Sequence, residues 1–292
     1  MLKFVVPKGS LEEQTLRLLE AADLGVRRGS SRDYHGRIDD DRIERVSLLR
    51  PQEIPRYVQE GFFDIGITGR DWVQETDADV EELAALEYAK GGVGYGVRVV
   101  LAVPQSNPAE RAADLAPDSR ISTEYPNLVR RHFDALGIPV RVFESYGATE
   151  AKVPEIVDAI VDVSETGTTL RAHGMKVIET LLESDVVLIA NRDSVRDADK
   201  RRAMEDVTTL LLGALRAQGR VLIKLNVSEG RLDDLLKVLP SMKAPTVSPL
   251  AEQGSYAVET VVEKAIVNRL IPELKANGAT DILELPISKI VP

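Results

Sequence analysis

The segment at 159–170 (AIVDVSETGTTL) holds the residue types that a phosphate-binding loop requires. Its apolar start predicts a buried strand that contains Asp162, and a turn rich in small and hydroxyl residues follows. Gly167 allows the backbone to approach an anion closely. Hydroxyl donors come from the three threonines of the turn, Thr166, Thr168 and Thr169. A capped turn without a ligand can have the same composition, so this segment alone leaves phosphate binding and a plain turn open.

Two carboxylates near this turn suit a sugar. Asp158 and Asp162 lie just before and near the end of the predicted strand. A carboxylate accepts hydrogen bonds from the vicinal hydroxyls of a ribose. If the turn does bind phosphate, the pair indicates a sugar phosphate as the ligand.

Arg50 and Asp71 belong to a second candidate cluster. Arg50 lies in LLRP, where a strand is predicted to lead into a helix, and its planar guanidinium can hold a phosphate at two points. Asp71 follows the predicted strand at 64–68 (DIGIT), at the sheet edge where open α/β proteins bind ligands. Both have a structural alternative, since a surface arginine can form ion pairs and Asp71 can cap a helix.

Lys8 and Tyr125 are candidates for contacts with a nucleotide. Lys8 follows the first predicted strand and can either reach a polyphosphate or remain a solvated turn residue. Tyr125, in TEYPNLVR, can line a purine pocket or pack under its own turn.

The three histidines lack metal-ligand spacing, and the acidic run at 39–41 has the character of a solvated turn. No metal site formed by protein side chains is therefore predicted.

The composition excludes several functional classes. The formal charge of −10 and the pI near 5.0 argue against a nucleic-acid-binding protein, which needs a basic face. There is no cysteine, so disulfides and thiolate catalysis are excluded. No apolar run is long enough to span a membrane, and the apolar N-terminal stretch is too short for a signal peptide. We therefore expect a cytoplasmic protein without a membrane partner.

Strands and helices are predicted to alternate over the first two thirds of the chain, as in parallel sheets with helix-covered faces. A long helix at 195–217 follows, and Gly219 ends it. The last third has a different order. Its predicted elements are strand 220–227, helix 230–239, strands 246–247 and 256–263, helix 267–276 and strand 281–287. This βαββαβ order is typical of a ferredoxin-like domain.

Four groups of motifs, in this order, resemble those of the ATP phosphoribosyltransferase family: VPKGSL, LRPQEIPRYV with DIGITGRDWV, TEYPNLVRRHF, and GATE with DAIVDVSETGTTL. The tail, with KAPTVSPLA at 243–251, is similar to the histidine-binding domain of the family's long form. The resemblance covers essentially the whole chain. It implies two α/β lobes that resemble periplasmic binding proteins, plus a C-terminal ferredoxin-like regulatory domain. The implied bounds are 1–94 and 181–219 for the first lobe, 95–180 for the second and 220–292 for the regulatory domain.

The resemblance also implies roles for individual residues. The implied ligands of phosphoribosyl pyrophosphate (PRPP) are Asp158, Asp162, Glu165, Thr166, Gly167, Thr168 and Thr169. The implied ATP ligands are Arg50, Asp71, Trp72, Glu124 and Tyr125. The implied catalytic residues are Glu150, near the reacting carbon, and Arg50 and Lys8, against polyphosphate charge. The implied histidine ligands are Thr246, Ser248 and Asn226.

The implied reaction joins N1 of the ATP adenine to C1 of the PRPP ribose and releases pyrophosphate. It opens histidine biosynthesis, and histidine would inhibit it through the tail. Mg²⁺ would be bound mainly through substrate oxygens. Since members of the family are oligomers, a homodimer or homohexamer is expected.

Two positions depart from the family pattern. The stretch before the DAI segment usually contains a glycine, and here it reads KVPEIV with Pro154. Glu165 stands where the family often has a small residue, and its carboxylate would repel a phosphate unless it points away. We therefore assign only a backbone role to Glu165.

Two other functions remain open at this point. A solute-binding module also has two hinged α/β lobes, although no export signal is predicted here. A phosphoribosyltransferase for another base would share the PRPP loop, although it would not need the βαββαβ tail.

Overall fold

The computed structural model describes residues 1–89, 92–93, 96–240 and 244–292. It divides into two compact units, Met1–Thr208 and Thr209–Pro292. The strands are β1 (Leu2–Pro7), β2 (His35–Gly36), β3 (Ile43–Leu49), β4 (Ile65–Gly69), β5 (Glu81–Leu86), β6 (Tyr88–Ala89), β7 (Gly92–Val93), β8 (Val97–Pro104), β9 (Ser119–Thr123), β10 (Val140–Glu144), β11 (Ala159–Ser164), β12 (Met175–Ser184), β13 (Val186–Ala190), β14 (Arg220–Ser228), β15 (Thr246–Pro249), β16 (Ser255–Glu263) and β17 (Thr280–Pro286). The helices are α1 (Glu12–Ala21), α2 (Ile54–Gln59), α3 (Arg70–Thr76), α4 (Pro126–Leu136), α5 (Thr168–Ala172), α6 (Arg192–Arg196), α7 (Ala198–Ala217), α8 (Glu229–Val238) and α9 (Val267–Ala276). Within the described ranges, no helix is both long enough and apolar enough to cross a membrane.

A six-stranded sheet forms the first lobe of the larger unit, with the strand order β2-β3-β1-β4-β13-β5. Strands β3, β1 and β4 are parallel, whereas β13 is antiparallel to both β4 and β5. The central strands β1 (LKFVVP) and β4 (IGITG) consist almost entirely of apolar and small residues, and they are buried along nearly their whole length. This burial is expected of a sheet that is covered on both faces.

A five-stranded sheet forms the second lobe, with the order β10-β9-β11-β8-β12. Here β10, β9 and β11 are parallel, and β8 is antiparallel to β11 and β12. Apart from the short edge strand β2, which is antiparallel to β3, each sheet has one strand that runs against its neighbours, β13 or β8, and in both cases the chain arrives from the other lobe in that strand. The expectation of parallel sheets was therefore incomplete, because each crossing brings the chain into the sheet in the opposite direction.

The chain crosses between the lobes twice, once between β5 and β8 and once at Asp185, between β12 and β13. The predicted domain bound at 94/95 lies outside the described residues. The predicted bound at 180/181 falls inside β12, which pairs with β8 as far as Ser184. The long helix expected at 195–217 is interrupted between α6 and α7, and the division between the two units falls within α7. The domain bounds stay predictions.

The smaller unit contains a four-stranded antiparallel sheet in the order β15-β16-β14-β17. Its elements follow one another as βαββαβ, and α8 and α9 pack Leu235, Val267 and Leu274 against Ile223 of β14. The predicted fold class, two α/β lobes with a C-terminal ferredoxin-like domain, is confirmed. Lys243, the first residue of the tail motif KAPTVSPLA, lies outside the described residues.

A seam between helices α3 and α4 joins the two lobes. Trp72 of α3 belongs to the hydrophobic core of the second lobe, where its ring stacks on Tyr125 with centroids 4.4 Å apart. Glu75, also on α3, accepts hydrogen bonds from the backbone N–H groups of Asn127 and Leu128, both at 2.9 Å. Burial raises the pKa of Glu75, and these two N–H groups oppose the shift. A first-lobe carboxylate thus satisfies the N-terminus of a second-lobe helix, which otherwise leaves its N–H groups unpaired.

We expect Glu75→Ala to weaken this seam, because it leaves the buried N–H of Leu128 and the half-buried N–H of Asn127 without an acceptor, and a buried group of this kind costs about 1–3 kcal/mol. The chain has one tryptophan, Trp72, and it lies in the seam, so its fluorescence during denaturant unfolding reports the effect directly. Glu13→Ala is the matched control, since the Glu13 side chain is 72% exposed and pairs with Arg17 on α1. Equal unfolding midpoints for Glu75→Ala and Glu13→Ala would contradict this account of the seam.

Candidate active site

A cavity of about 700 Å³ lies between the two lobes; we call it the first cavity. The first lobe contributes Ser10, Gln52 and Tyr88 to its wall. The second lobe contributes the end of β11 and the turn that follows. The predicted site residues on this wall are Asp71, Trp72, Glu124, Tyr125, Glu150, Asp162, Glu165, Thr166, Gly167, Thr168 and Thr169. Folding therefore gathers residues from four separate sequence motifs around one cavity.

The turn after β11 is built around Gly167, which has a φ of +72°. Its N–H donates to Ser164 Oγ at 2.9 Å, and α5 begins at the next residue. The hydroxyls of Thr166 and Thr168 lie 2.9 Å apart, and Arg171 donates to the Thr166 carbonyl at 3.0 Å. The predicted strand, turn and helix are all present. The turn offers hydroxyl groups and tightly curved backbone to the cavity, as phosphate recognition requires.

Two of the predicted PRPP ligands differ in their surroundings. Asp158 is not on the described wall of the first cavity. It accepts hydrogen bonds from the backbone N–H of Arg120 at 2.8 Å and from the Arg120 guanidinium at 2.7 Å. These hydrogen bonds lower the pKa of Asp158. Glu165, in contrast, is exposed on the wall beside the turn. The PRPP roles of both residues stay predictions.

Six acidic residues line the first cavity, and three of them, Glu124, Glu150 and Asp162, form a cluster in which Asp162 interacts with both glutamates. Burial raises the pKa of Asp162 and the charge of Glu150 raises it further, while a hydrogen bond from Thr149 opposes the shift. Burial also raises the pKa of Glu124, and Asp162 is the second cause. The cluster gives this wall a negative potential, which favours positive charge on a bound group.

Asp71 is buried, and both of its carboxylate oxygens are hydrogen bonded. Oδ1 accepts from Ser184 Oγ at 2.7 Å, and Oδ2 accepts from Tyr125 Oη at 2.6 Å. Its backbone N–H donates to the same Ser184 hydroxyl at 2.9 Å. A Cβ at Gly69 would collide with Oδ1, so the β4–α3 junction accommodates only glycine without a shift. Asp71 therefore fixes the wall of the cavity, and its predicted contact with ATP is untested.

A second cavity of about 880 Å³ adjoins the first and shares Gln52, Trp72 and Glu124 with it. Arg50 lines this second cavity, as does Tyr146, which is 89% exposed. A guanidinium and aromatic rings on one wall suit a base and its phosphates. The two cavities meet at the three shared residues, so two bound groups could approach each other there.

Lys8 is engaged away from both cavities. Its ammonium lies 5.0 Å from the centroid of the Tyr34 ring and donates to the Ser31 carbonyl at 3.2 Å. It is also 3.8 Å from Glu12 Oε1. The assignment of Lys8 to polyphosphate charge stays a prediction.

Sequence reasoning missed several residues of this region, notably Gln52, Ser184 and Lys152. Gln52 follows Arg50 by two positions, yet only the fold shows that it separates the two cavities, with an Oε1 that is buried and lacks a partner among the described residues. Ser184 is 113 residues from its partner Asp71. Lys152 had a visible signal, since it lies two positions after Glu150 in the GATE motif region.

The predicted histidine ligands lie in the smaller unit. Asn226 of β14 and Ser248 of β15 both pair with Ala257 of β16, so their side chains share one face of the sheet. Thr246 lies two residues before Ser248 and belongs to the same face. Asn226 Nδ2 also donates to Asp281 Oδ2 at 3.0 Å.

Within the ranges that the structure describes, no group of three or more His, Cys, Asp or Glu side chains is arranged to hold a metal ion. Glu124, Glu150 and Asp162 instead form a negative surface on the wall of the first cavity.

Comparison with known proteins identifies the family. A family model of ATP phosphoribosyltransferase matches residues 50–213, more than half of the chain, and a model described as the HisG C-terminal domain matches residues 217–289. The ATP phosphoribosyltransferase of Chlorobium luteolum is 45% identical over 100% of this chain and 98% of its own length. That of Koribacter versatilis is 45% identical over 99% of both chains.

A solved structure supports the same assignment. One chain of the ATP phosphoribosyl transferase (HisG:HisZ) complex from Thermotoga maritima superposes with a TM-score of 0.62 and 25% identity, and the match covers 72% of this chain and 98% of that one. The chain described here is therefore the longer of the two, and it carries the match to the C-terminal domain. With both family models matched in order and relatives that align over its whole length, the chain belongs to the ATP phosphoribosyltransferase family, in the long form with its own C-terminal domain.

Proposed function

We propose that this chain joins N1 of the ATP adenine to C1 of the PRPP ribose, releasing pyrophosphate in the first step of histidine biosynthesis. One observation carries the proposal beyond family membership: a hydroxyl-rich turn around Gly167 and the carboxylate cluster of Glu124, Glu150 and Asp162 line the same cavity. A phosphate needs the hydroxyl and backbone donors of the turn, and a sugar carbon that develops positive charge needs the carboxylates. A site for PRPP therefore needs both groups in one cavity. A solute-binding module would need no such pairing.

The turn after β11 is proposed to hold the 5-phosphate of PRPP. Thr166, Thr168 and Thr169 offer hydroxyl donors, and the backbone at Gly167 can approach the phosphate without a side chain between them. With the phosphate at the turn, the ribose extends toward Asp162, whose carboxylate accepts hydrogen bonds from the ribose hydroxyls. Glu165 contributes its backbone, and its carboxylate turns away from the phosphate.

Catalysis is proposed to come from positioning and electrostatics. Adenine N1 carries a free lone pair at neutral pH, so the bond from N1 to C1 forms without prior removal of a proton. The barrier lies in breaking the bond between C1 and the pyrophosphate oxygen, which leaves positive charge on the ribose. Glu124, Glu150 and Asp162 supply the negative field that stabilises this charge. No general base is required in this step.

ATP is proposed to enter from the second cavity. Arg50 would contact the ATP phosphates. Trp72 and Tyr125 would pack against the adenine near the place where the two cavities meet. The PRPP substrate is taken as its Mg²⁺ complex, since Mg²⁺ prefers phosphate oxygens and keeps few protein ligands. When bound, Mg²⁺ would neutralise negative charge on the leaving pyrophosphate. Closure of the two lobes would exclude water from the reactive sugar.

The smaller unit is proposed to bind histidine and to inhibit the reaction. Thr246, Ser248 and Asn226 supply polar groups on one sheet face, and a link between that site and the catalytic cavity would be allosteric.

We also propose that the enzyme acts in the cytoplasm, where ATP and PRPP are made, and that it is a homodimer or homohexamer. Sedimentation analysis with and without histidine tests the oligomeric state.

The direct test of the function mixes the protein with ATP, PRPP and Mg²⁺ and follows the ultraviolet absorbance of N1-phosphoribosyl-ATP. We expect product only when ATP and PRPP are both present, and less product when histidine is added. Product with another base in place of ATP would favour a different phosphoribosyltransferase. Folded protein that binds ligands but forms no product would contradict the enzyme assignment.

We expect Gly167→Ala to raise the KM for PRPP roughly tenfold, because a side chain at positive φ strains the turn by about 1–2 kcal/mol and moves its donors. The KM for ATP should change little. Gly174→Ala is a matched control: Gly174 also has a positive φ, +68°, and a Cβ there would meet nothing within 4 Å. If both variants raise the KM for PRPP equally, strain alone explains the effect and the loop assignment is wrong.

We expect Ser248→Ala and Asn226→Ala to weaken inhibition by histidine roughly tenfold, since each removes a hydrogen bond to a charged ligand. The inhibition constant is measured for each variant against its own activity without histidine. Ser228→Ala, at the end of the same strand as Asn226, should leave the inhibition constant unchanged. Unaltered inhibition in both test variants would place the histidine site elsewhere.

A further inference from the structure

Arg171 lies against the turn after β11 and contacts three consecutive residues of it. Its Nη2 donates to the Thr166 carbonyl at 3.0 Å and to Thr168 Oγ1 at 3.3 Å. Gly167 stands between these two residues, and a Cβ there would lie 2.9 Å from Arg171 Nη1. The backbone N–H of Arg171 also donates to the Gly167 carbonyl at 3.0 Å. The guanidinium therefore packs against the whole bend of the turn, in space that a side chain at position 167 would occupy.

The guanidinium and the first cavity lie on different sides of this turn. Arg171 is not among the residues that line the first cavity. Together with Gln105 and Lys176 it lines a third cavity, of about 340 Å³. Gly167 and Leu170 line both cavities, so the turn separates them. An anion in the first cavity would meet the donors of the turn, with the guanidinium behind them.

The wall of the first cavity repels anions. Six acidic residues line it, and none of the described residues on this wall is a lysine, an arginine or a histidine. One of the six, Glu165, belongs to the turn itself. Because like charges at short distance repel, a phosphate at this turn is favoured by a positive charge close to it. Arg171 supplies such a charge without entering the space where the substrates would react.

The hydrogen bonds of Arg171 also decide what the turn offers to a phosphate. The Thr166 carbonyl oxygen accepts from the guanidinium, whereas a carbonyl oxygen left free beside a phosphate would repel it. Thr168 Oγ1 accepts from Arg171 and keeps its own proton for donation. A hydroxyl that accepts from a cation is polarised and becomes a stronger donor. Thr166 Oγ1, 2.9 Å from Thr168 Oγ1, belongs to the same group of hydroxyls.

We propose that Arg171 is a positioning residue for PRPP: from behind the turn it fixes the donors of Thr166, Gly167 and Thr168 and places a positive charge next to the 5-phosphate. The inference deepens the function proposed above and rests on it. Arg171 does not line the wall that carries Glu124, Glu150 and Asp162. Its loss should therefore affect the binding of PRPP and leave the chemical step unchanged.

The first test compares steady-state kinetics of the wild type and Arg171→Ala. We expect the KM for PRPP to rise roughly tenfold, the size of one charge-assisted contact that solvent partly screens at this exposed position. The kcat and the KM for ATP should stay close to those of the wild type. Lys176→Met is the matched control, because Lys176 lines the same third cavity but pairs with Glu110, at 3.0 Å. Its kinetic constants should resemble those of the wild type.

Two rescue experiments separate the positive charge and its donors from a general effect on folding. Arg171→Lys keeps a charged donor on a shorter side chain and should recover part of the lost affinity for PRPP. Arg171→Ala enlarges the third cavity, so added guanidinium ion should lower the KM of this variant for PRPP. Tetramethylammonium at the same ionic strength has the charge but no N–H donor, and it should give no rescue.

Equilibrium binding shows which anionic end of PRPP the turn receives. Ribose 5-phosphate carries only the phosphate on the 5 position, whereas inorganic pyrophosphate represents the other end of PRPP. We expect Arg171→Ala to weaken the binding of ribose 5-phosphate and of PRPP by similar factors. The affinity for pyrophosphate should not change.

Several outcomes would overturn the proposal. A lower kcat with an unchanged KM for PRPP would show a merely structural role, as would an equal effect of Lys176→Met. Weaker binding of pyrophosphate with unaltered binding of ribose 5-phosphate would place the wrong end of PRPP at the turn. If Arg171→Ala does not fold, judged by Trp72 fluorescence, Arg171→Gln decides, since it removes the charge and keeps an amide donor. A wild-type affinity for ribose 5-phosphate in Arg171→Gln would reject the role of the charge.

Failure of the proposed function gives a different result. A wild type that binds ribose 5-phosphate but forms no product from ATP and PRPP would remove the enzyme assignment. The binding comparison between the wild type and Arg171→Ala would still decide whether Arg171 supports a phosphate at the turn.

Discussion

The attachment of α3 to the second lobe is the constraint on which the rest of the structure depends. α3 belongs to the first lobe in sequence, yet Trp72 packs in the core of the second lobe and Glu75 satisfies the N-terminus of α4. Tyr125 closes the contact by its hydrogen bond to Asp71. Because these groups are buried, each would lose its partner if the lobes separated at this point. The cavity between the lobes therefore has one wall whose geometry is set by the packing of two helices.

An acidic protein can bind two highly phosphorylated substrates because the charges are separated in space. The net charge is −10, and six acidic residues line the cavity itself. In the proposed function, phosphate binding is assigned to hydroxyls and backbone at the turn after β11, which need no formal charge. Arg50 contributes its positive charge on the adjoining cavity. The carboxylates can then act on the sugar, where positive charge develops, rather than on the phosphates that they would repel.

The larger and smaller units divide the proposed chemistry between them. The larger unit holds both cavities and every residue proposed for catalysis, whereas the smaller unit holds the predicted histidine ligands on one sheet face. The smaller unit has its own hydrophobic core, formed between α8, α9 and the sheet. A separate core allows a regulatory function to be carried by a domain that contributes nothing to the reacting groups.

The sequence by itself determined the local features of this protein. Apolar runs and the residues that interrupt them predicted β1, β4, β11 and the βαββαβ tail. Such patterns can be read from the sequence because they depend only on residues close together in the chain. The glycine-containing turn at Gly167 was equally visible, because its backbone conformation depends on the residue type at that position. Motif order along the chain was enough to indicate the family.

Only the tertiary structure decided which side chains meet. Asp158 is hydrogen bonded to Arg120, and the Lys8 ammonium lies over the ring of Tyr34, contacts that the sequence does not indicate. Ser184 donates a hydrogen bond to Asp71 from 113 residues away, and Glu75 accepts hydrogen bonds from the N–H groups of Asn127 and Leu128. Such partners depend on strand order and on the way the chain crosses between two sheets. A local sequence pattern does not predict these partners, because they are brought together only when distant elements pack against one another.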